Sequence, residues 1–554
     1  MGGQSLRWGA LALLACTVAA CGSSGDGSTP TAGGGGKGGQ ANAQGGSATA
    51  GASAVSGDSG SAGSANGGGG ASSGASGVGG GSAGASGSAG VSGGAGVSGN
   101  AGAGGVASGP PDQVDQSGPS VNGSITVNRA TTIGKIGPGF AGLSYEKIHL
   151  EDGFFRASNA PLIALFKLLG PSVLRLGGNS VDRTNTDWTP AGAGKTSGQI
   201  AKADVDGLAA FAKASGWTVI YGVNLKTSTA AVAADEATYA ANALGTQLYG
   251  FEIGNEVGGY LSYSDFKTKW EAFAAAIRAR VPKAPMTGPA TEGGALKGYT
   301  VPFAKDEAAQ INLLTHHYYR GNGLAAGSTI DYLLNTPDPV LTSTLSTLQT
   351  AASTNQIANA YRMGETNSYY NGGSANVSNA YGTALWAIDY LFTVAQYGSS
   401  GVNFHVGGIT APYNPIQDDG AGTVTEARPD YYGILLFSRV GSGTMYQTKV
   451  NVSGVSFSAY AVGAPDGSTS LVLVNKDRTK RVHATVDLGK AATSASVARL
   501  AGPSLDATSG VTLAGAGVKP TGEWAPAPLP YLVPSGSSLV IDVPPASAAL
   551  VHLP

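Results

Sequence analysis

Short apolar runs alternate with longer amphipathic segments along much of this chain. In the run 249–253, Tyr249, Phe251 and Ile253 alternate with smaller or polar residues, which predicts a β-strand. After this run, apolar residues recur at spacings of three and four, which predicts a helix containing Phe266, Trp270, Phe273, Ile277 and Val281. Strands that feed helices are the repeating unit of an α/β fold.

The same alternation continues from residue 139 to residue 440. The pattern predicts eight strands, at 140–146, 172–176, 218–224, 249–253, 286–291, 311–319, 361–367 and 401–405. It predicts helices between them, at 161–169, 201–215, 231–244, 264–281 and 379–397, and a last helix at 431–440. Eight such units over about 300 residues predict a (β/α)8 barrel.

The pattern changes after residue 441. Short alternating segments at 456–462, 470–475, 482–488 and 538–543 are separated by Gly, Pro and Asn, which predicts an antiparallel β-sandwich over 441–554. A strand near Ile125 precedes the first barrel strand and needs a partner. We therefore expect residues 121–138 to join the sandwich.

Composition separates the N-terminal part from the rest. Residues 22–120 consist almost wholly of Gly, Ser and Ala and contain no aromatic residue. Such a segment buries too little apolar area to offset its chain entropy, so we expect a disordered linker. The net charge of the whole chain is −2, which gives no indication of a nucleic-acid partner.

Residues 1–21 have the pattern of a lipoprotein signal peptide. Arg7 precedes an apolar run that ends in the sequence VAAC at Cys21. We expect cleavage before Cys21 and lipidation of its thiol, with Cys16 as a competing position and an ordinary secretory signal as the alternative. The expected location is the bacterial cell envelope, facing the periplasm or exterior, with the lipid anchor as the only membrane contact.

Two glutamates lie at predicted strand ends. Asn255 and Glu256 follow the fourth strand, and Glu365 belongs to the seventh. The carboxyl ends of barrel strands meet at one rim, and glycosidic cleavage uses a pair of carboxyl groups. A single strand-end glutamate is more often an ion-paired or solvated residue. The ordered pair predicts Glu256 as acid/base and Glu365 as nucleophile, with Asn255 contacting the sugar 2-hydroxyl.

The motifs FEIGNE at 251–256 and RMGETNS at 362–368 resemble the two catalytic motifs of glycoside hydrolase family 79. That family includes β-glucuronidases and heparanase and belongs to a clan of retaining barrel enzymes. The segments LRLGGNS at 174–180 and THHYY at 315–319 are also similar to family segments. The resemblance covers the chain from about residue 125 onward. It implies hydrolysis of β-linked glucuronides by double displacement.

The resemblance also implies a site for the glucuronate carboxylate. Family members bind it through a turn after the nucleophile, where a tyrosine lies beside glycine amides, and through a second tyrosine after strand eight. The matching residues are Tyr370, Gly372 and Tyr413, while Asn371 departs from the glycine of some members. The resemblance further implies that Tyr319 hydrogen bonds to the nucleophile. An ordinary turn and a rim aromatic are the alternative interpretation of this segment.

The remaining candidate contacts come from other strand ends. Glu146 ends the first strand, Asp182 follows the second, and either is expected to contact sugar hydroxyls. Adjacent strand residues point to opposite sides, so only one of His316 and His317 is expected to face substrate, and we assign His317. A zinc site of His316, His317 and His405 is an alternative, but these histidines lack metal-ligand spacing. We expect neither metal nor cofactor.

Two other functions stay open from the sequence. The first is a related retaining hydrolase for a neutral sugar, such as a xyloside, arabinofuranoside or glucoside, which is favoured if the turn 370–373 points away from the pocket. The second is a non-catalytic glycan-binding lipoprotein on the same barrel. The pattern does not distinguish exo from endo action.

Overall fold

The computed structural model describes residues 109–184 and 199–554. Within these residues the first strand is β1 (Ser120–Ile136), which lies outside the barrel. The next eight strands close into a parallel barrel in chain order: β2 (Ala141–Glu146), β3 (Val173–Gly177), β4 (Thr218–Val223), β5 (Leu248–Ile253), β6 (Met286–Thr291), β7 (Leu313–Tyr319), β8 (Tyr361–Asn367) and β9 (Gly401–Val406). This closed barrel confirms the predicted fold class.

Helices pack around the barrel with their apolar sides inward. In the helix over 263–280, Phe266, Trp270, Phe273 and Ile277 are buried, as their spacing predicts. The helices are α1 (Ala160–Leu169), α2 (Lys202–Ser215), α3 (Ala230–Leu244), α4 (Tyr263–Arg280), α5 (Val301–Asp306), α6 (Ile330–Asn335), α7 (Pro339–Thr354), α8 (Gly382–Gln396) and α9 (Pro429–Val440). A short hairpin, β10 (Ile416–Asp418) and β11 (Val424–Ala427), precedes α9.

The C-terminal part forms one continuous sheet with β1, in the order β17-β16-β20-β14-β13-β12-β1-β15-β19, with β18 beside β16. Its strands are β12 (Gly443–Val452), β13 (Phe457–Gly463), β14 (Thr469–Asn475), β15 (Arg481–Asp487), β16 (Ala495–Ala501), β17 (Thr512–Leu513), β18 (Tyr531–Leu532), β19 (Ser538–Val543) and β20 (Ser547–Leu553). The sheet curls around its own apolar core, to which β1 contributes Ile125 and Val127. We call this part the β-sandwich domain.

The pairing of β1 makes this sheet mixed rather than purely antiparallel. It pairs antiparallel with β12 and parallel with β15, so a strand from the N-terminal side of the barrel lies inside the C-terminal sheet. The parallel pairing is possible because β1 reaches the sheet from a distant part of the chain rather than through a hairpin. Residues 121–136 of the predicted segment 121–138 thus pair within this sheet.

Residues 109–119, which the composition placed in the predicted linker, lie against the β-sandwich domain. The amide of Asp112 donates to the carbonyl of Tyr531 over 3.0 Å, and its carboxylate forms an ion pair with Arg499. These contacts are polar and bury little apolar area. The composition, which is rich in small residues, therefore does not predict that this segment is ordered. The predicted lipidation site at Cys21 and the linker up to residue 108 lie outside the described residues.

The helix α8 joins the two domains. Most of its residues are buried, and its Phe392 ring stacks on Tyr460 of β13 with centroids 4.2 Å apart and planes within 7°. Asp389 of α8 accepts a hydrogen bond from the Tyr460 hydroxyl over 2.9 Å and forms an ion pair with Lys476. Helices long and apolar enough to span a bilayer do not occur in the described parts of the chain.

Candidate active site

Glu256 and Glu365 meet at the carboxyl ends of the barrel strands. After β5, Gly254 and Glu256 take left-handed φ angles of +86° and +46°, and the Glu256 amide donates to the Ala290 carbonyl over 2.8 Å. Glu365 lies within β8. One carboxylate oxygen of each glutamate and a ring nitrogen of His317 all lie within 4.8 Å of one another. The structure therefore brings together the two predicted carboxylates.

Glu365 is held by several donors and is nearly buried. Arg175 Nη1 donates to its Oε2 over 2.8 Å, and the Tyr319 hydroxyl donates to its Oε1 over 2.9 Å. His405 Nδ1 and His317 Nδ1 lie 3.7 and 4.0 Å from Oε2. Burial works against ionisation, but His405, His317 and Arg175 outweigh it and hold the pKa of Glu365 far below its ordinary value. Glu365 is therefore a carboxylate anion, the form that a nucleophile requires.

Glu256 has a different environment. Its side chain is 32% exposed, and its Oε1 lies 3.0 Å from His317 Nδ1. Asn255 is buried, and its Oδ1 accepts a hydrogen bond from Arg175 Nη2 over 2.9 Å. The Asn255 Nδ2 group has no acceptor among the described residues, so it is available as a donor. A carboxyl group open to the cleft beside a free amide donor suits an acid/base that works with a contact to a sugar hydroxyl.

The turn after β8 presents two free backbone donors. Asn371, Gly372 and Gly373 have φ angles of +60°, +80° and +92°, and the Asn371 side chain donates to Asn322 Oδ1 over 2.9 Å. Asparagine tolerates the left-handed region, so the departure from glycine leaves the turn intact. The amides of Gly372 and Gly373 have no acceptor among the residues that the structure describes. Backbone N–H groups of a turn that lack an internal acceptor are available to bind an anion.

The rings of Tyr370 and Tyr413 both lie close to Tyr319. The Tyr319 ring lies 6.4 Å from Tyr370 at 77° and 6.2 Å from Tyr413 at 29°, measured between centroids. Tyr370 is 43% exposed, whereas Tyr413 is buried. Burial, followed by the charges of Glu365 and Glu146, raises the pKa of Tyr413 well above its ordinary value, so its hydroxyl stays protonated. Both tyrosines therefore lie next to Tyr319, the residue that donates to Glu365.

The structure places Glu146 in this cluster. Its carboxylate accepts hydrogen bonds from the amides of Asn179 and Ser180, over 3.1 and 2.7 Å, and lies 3.8 Å from His405 Nε2. Burial opposes ionisation of Glu146, but His405 and Ser180 outweigh it and lower its pKa. The negative charges of Glu365 and Glu146 in turn outweigh the effect of burial on His405 and raise its pKa. His405 therefore links the two carboxylates.

Asp182 lies in a neighbouring cluster. It is buried, accepts a hydrogen bond from the Lys226 amide over 3.3 Å, and interacts with Tyr260 on the loop after β5. Burial raises its pKa. These contacts hold the loops after β3, β4 and β5 together, and the structure does not bring the Asp182 carboxylate into contact with Glu256 or Glu365.

The adjacent histidines of β7 point to opposite sides of the strand, as their alternation predicts. His317 contacts Glu256, whereas His316 Nδ1 lies 3.0 and 3.3 Å from the hydroxyls of Thr300 and Thr291. Burial and the neighbouring His317 lower the pKa of His316 to about 3, so it is neutral. The side chains of His316 and His405 thus have different neighbours and do not form the considered zinc site. Glu256, His317 and Glu365 each place one possible ligand atom within 4.8 Å of the others, and Glu365 also accepts from Arg175 and Tyr319. The expectation of a site without metal stays a prediction.

The sequence does not predict roles for four residues that lie in or beside the site. Arg175 belongs to the segment 174–180, and a charged residue within an apolar strand is the signal that points to it. His405 ends the eighth predicted strand, but the sequence suggests only a role as a zinc ligand. Glu252 binds Arg175 from inside the barrel, and Glu292 directly follows the fifth barrel strand, β6.

The chain is similar to known proteins in sequence over a short segment and in structure over a longer range. No family model matches the chain. A segment of 127 residues is 32% identical to a β-glucuronidase of Neurospora crassa and covers 20% of this chain and 22% of that protein. A segment of 139 residues is 28% identical to a β-glucuronidase of Aspergillus niger and covers 23% of this chain and 24% of that protein. The chain thus matches less than a quarter of the length of these relatives.

Solved structures resemble the chain over a longer range. A 4-O-α-L-rhamnosyl-β-D-glucuronidase from Fusarium oxysporum has a TM-score of 0.62 at 17% identity, with 78% of this chain and 99% of that chain covered. A family 51 α-L-arabinofuranosidase from Bifidobacterium longum has a TM-score of 0.59 at 16% identity. The match covers 78% of this chain and 100% of that chain. At these identities the likeness shows the fold, which is a barrel found in glycoside hydrolases.

The contact between Tyr319 and Glu365 gives a direct prediction. Tyr319→Phe removes one hydrogen bond to the ionised carboxylate and keeps the ring, at a cost of about 1.5–3 kcal/mol to the charged form. We expect the pKa of Glu365 to rise while it stays below the ordinary range, because Arg175 and the histidines remain. NMR measures this pKa through the ¹³C resonance of the Glu365 carboxyl, which is followed over acid pH. Glu365→Gln assigns the resonance. An unchanged titration in Tyr319→Phe contradicts the assigned contact.

Proposed function

We propose that this protein is a glycoside hydrolase that cleaves β-linked glucuronic acid with retention of configuration, and that it belongs to glycoside hydrolase family 79. The observation that carries the proposal is the approach of the two carboxylate oxygens to within 4.8 Å. Retaining glycosidases separate their carboxyl groups by about 5–5.5 Å, whereas inverting ones leave room for a water molecule at about 6.5–9.5 Å. The partial likeness to fungal β-glucuronidases supports the same class.

The environments of the two glutamates suit a double displacement. The anionic Glu365 attacks the anomeric carbon, the bond from that carbon to the leaving oxygen breaks, and Glu256 gives its proton to that oxygen. In the second step Glu256 takes a proton from water, the water oxygen bonds to the anomeric carbon, and the ester bond to Glu365 breaks. Asn255 donates to the sugar 2-hydroxyl through its free Nδ2 group.

The turn 370–373 supports an anionic sugar. The free amides of Gly372 and Gly373, together with the hydroxyls of Tyr370 and Tyr413, can satisfy a carboxylate at C5 without a cation. Tyr370 and Tyr413 lie beside Tyr319, which donates a hydrogen bond to Glu365. A sugar whose anomeric carbon lies at Glu365 can therefore reach the turn with its C5 substituent.

A neutral sugar is the second candidate substrate. Arabinofuranosidases are among the solved structures with this fold, and Tyr370 is 43% exposed rather than fully enclosed. Non-catalytic glycan binding is less well supported, because the chain keeps both carboxylates, and the donors around Glu365 hold it ionised.

The mechanism is tested with two glutamate variants and two leaving groups. Glu365→Ala should abolish turnover of 4-nitrophenyl and alkyl β-glucuronides. Glu256→Ala should retain more activity on the nitrophenyl substrate, because a good leaving group needs little protonation. NMR of the first product should show the β-anomer, and an α-configured first product contradicts retention.

The sugar assignment is tested with Tyr413→Phe. Charge-assisted hydrogen bonds are worth about 1.5–3 kcal/mol each, so two or three of them, partly offset by desolvation, favour a glucuronide over a glucoside by on the order of 10²–10⁴ in kcat/KM. Tyr413→Phe should lower kcat/KM for the aryl glucuronide and affect the glucoside much less. Tyr446→Phe, in the β-sandwich domain, is the matched control. Equal losses on both sugars, or a wild type that cleaves both equally well, would favour the neutral-sugar alternative.

The proposed location is the cell envelope, through a lipid on Cys21. The sequence VAAC after a short apolar run supports it. Cys21→Ser should block processing or release the protein from membranes, whereas Cys16→Ser should leave anchoring unchanged. Detergent partitioning and the mass of the mature N-terminus measure both. Normal partitioning of Cys21→Ser excludes lipid attachment at this residue.

A further inference from the structure

The strand β6 contains a bulge beside the loop that carries Glu256. Its pairing with β7 skips one residue between Pro289 and Thr291, which leaves Ala290 as an extra residue. Ala290 is fully buried and has a left-handed φ angle of +56°, although it is not glycine. A β-bulge leaves its extra residue outside the ladder of hydrogen bonds between the strands. The peptide groups of Ala290 can therefore bond to other partners.

Both peptide groups of Ala290 have such partners near the site. Its carbonyl accepts a hydrogen bond from the Glu256 amide over 2.8 Å, and Glu256 is itself left-handed, with φ +46° and ψ +47°. Its amide donates to Thr315 Oγ1 over 3.1 Å. A residue other than glycine keeps a left-handed backbone only where its surroundings hold it there. The bond between Ala290 and Glu256 joins two such residues, so each helps to hold the other.

The hydroxyl of Thr315 continues this series of hydrogen bonds as far as Glu365. It donates to Glu252 Oε1 over 2.7 Å, and the other carboxylate oxygen of Glu252 accepts from Arg175. Arg175 also donates to Glu365 over 2.8 Å. Arg175, Glu252 and Thr315 are fully buried, so their hydrogen bonds are strong and are costly to leave unmade. An unbroken series of hydrogen bonds therefore runs from Glu365 to the backbone of Glu256.

Thr315 is a link of this series that can be altered without removing a charge. A hydroxyl can donate one hydrogen bond while it accepts another, and Thr315 uses both capacities. Thr315 also packs against β8, because a Cβ atom on Gly364 would lie 3.4 Å from the Thr315 Cβ. Gly364 directly precedes Glu365 in the chain. Thr315 therefore lies between the strand of Glu365 and the bulge that holds Glu256.

We propose, on the basis of the hydrolase function above, that Thr315 is a positioning residue for the acid/base Glu256. Its hydroxyl holds the bulged peptide of Ala290, and that peptide fixes the backbone of Glu256 relative to Glu365. Loss of the hydroxyl leaves the Ala290 amide without this acceptor. The change acts on the placement of Glu256, whereas Glu365 keeps the donors that hold it ionised.

The first test measures the Glu256 amide and needs no substrate. Thr315→Val keeps the shape of the side chain and removes the hydroxyl. Hydrogen exchange is measured by mass spectrometry with fragmentation to single residues. Exchange of the Glu256 amide should be at least about tenfold faster in Thr315→Val, because the bond to the Ala290 carbonyl then opens more readily.

Thr287→Val is the matched control for this measurement. Thr287 lies on β6, is fully buried, and donates its hydroxyl to the Phe251 carbonyl over 3.3 Å. The same substitution there also removes a buried threonine hydroxyl from the barrel, but not from the series that reaches Glu256. The exchange of the Glu256 amide should stay as in the wild type.

The second test uses substrates with different leaving groups. Thr315→Val should lower kcat/KM for an alkyl β-glucuronide by on the order of 10–10²-fold, because a misplacement of about 1 Å has effects of this size. For 4-nitrophenyl β-glucuronide the loss should be less than about threefold, since a good leaving group needs little protonation. With this substrate kcat and KM should fall together, because Glu256 is also the base of the second step and the glycosyl-enzyme accumulates.

Two further variants separate loss of the hydroxyl from loss of packing. Thr315→Ser keeps the hydroxyl and loses the methyl group, whereas Thr315→Ala loses both. The serine variant should resemble the wild type in amide exchange and in leaving-group dependence, and the alanine variant should resemble Thr315→Val. This pair differs only in the hydroxyl, so it also decides the role of Thr315 if valine prevents folding.

The outcomes separate this inference from the proposed function. Unchanged exchange of the Glu256 amide in Thr315→Val, or equal behaviour of the serine and alanine variants, overturns the role of Thr315. Equal losses on both substrates with an unchanged KM also overturn it, because they indicate a smaller folded fraction. A wild type that hydrolyses no aryl β-glycoside contradicts the proposed function, whereas the exchange measurement still shows whether Thr315 holds the Glu256 backbone.

Discussion

The buried guanidinium of Arg175 is the interaction on which the geometry of the site depends. It is fully enclosed within the barrel and donates to Glu252, Glu365, Asn255 and Ser144. A buried charge is costly unless it is paired and hydrogen bonded, so the four acceptors have little freedom to move. They come from β5, from β8, from the loop after β5 and from β2. One side chain thereby fixes the positions of four neighbouring elements.

The same constraint gives the two glutamates different properties. Arg175 and His405 act on Glu365, which lies inside the barrel mouth and stays ionised. Glu256 lies beyond the end of β5, where its own left-handed φ angle turns the chain away from the strand, and its Oε1 contacts His317. Two carboxyl groups in such different surroundings are suited to different roles in one reaction. The two environments differ because Glu365 lies within β8, whereas Glu256 follows the end of β5.

The sequence predicts the barrel and the two glutamates because each leaves a local pattern in the chain, namely the apolar periodicity and the position of a glutamate at a strand end. The apolar periodicity locates β2 to β9 to within a few residues, and the ends of parallel strands necessarily share a rim. The partners of Arg175 and the difference between Glu146 and Asp182 depend on how distant strands pack, which a local pattern does not contain. The same is true of the parallel pairing of β1 with β15 and of the contacts of residues 109–119, which rest on a few polar interactions between distant segments.

The side of the site where we propose that the sugar binds is built from loops that are hydrogen bonded to one another. The Asn367 side chain donates to the carbonyls of Tyr413 and His405, over 2.8 and 3.1 Å, which ties the end of β8 to the loop after β9. The Gly323 amide donates to the Tyr370 carbonyl over 2.9 Å, which ties the same turn to the loop after β7. Ordering loops on binding costs free energy, so a turn already held on both sides retains more of its binding energy for the ligand. The turn that we propose to bind the sugar is thus held in place by the fold rather than by the substrate.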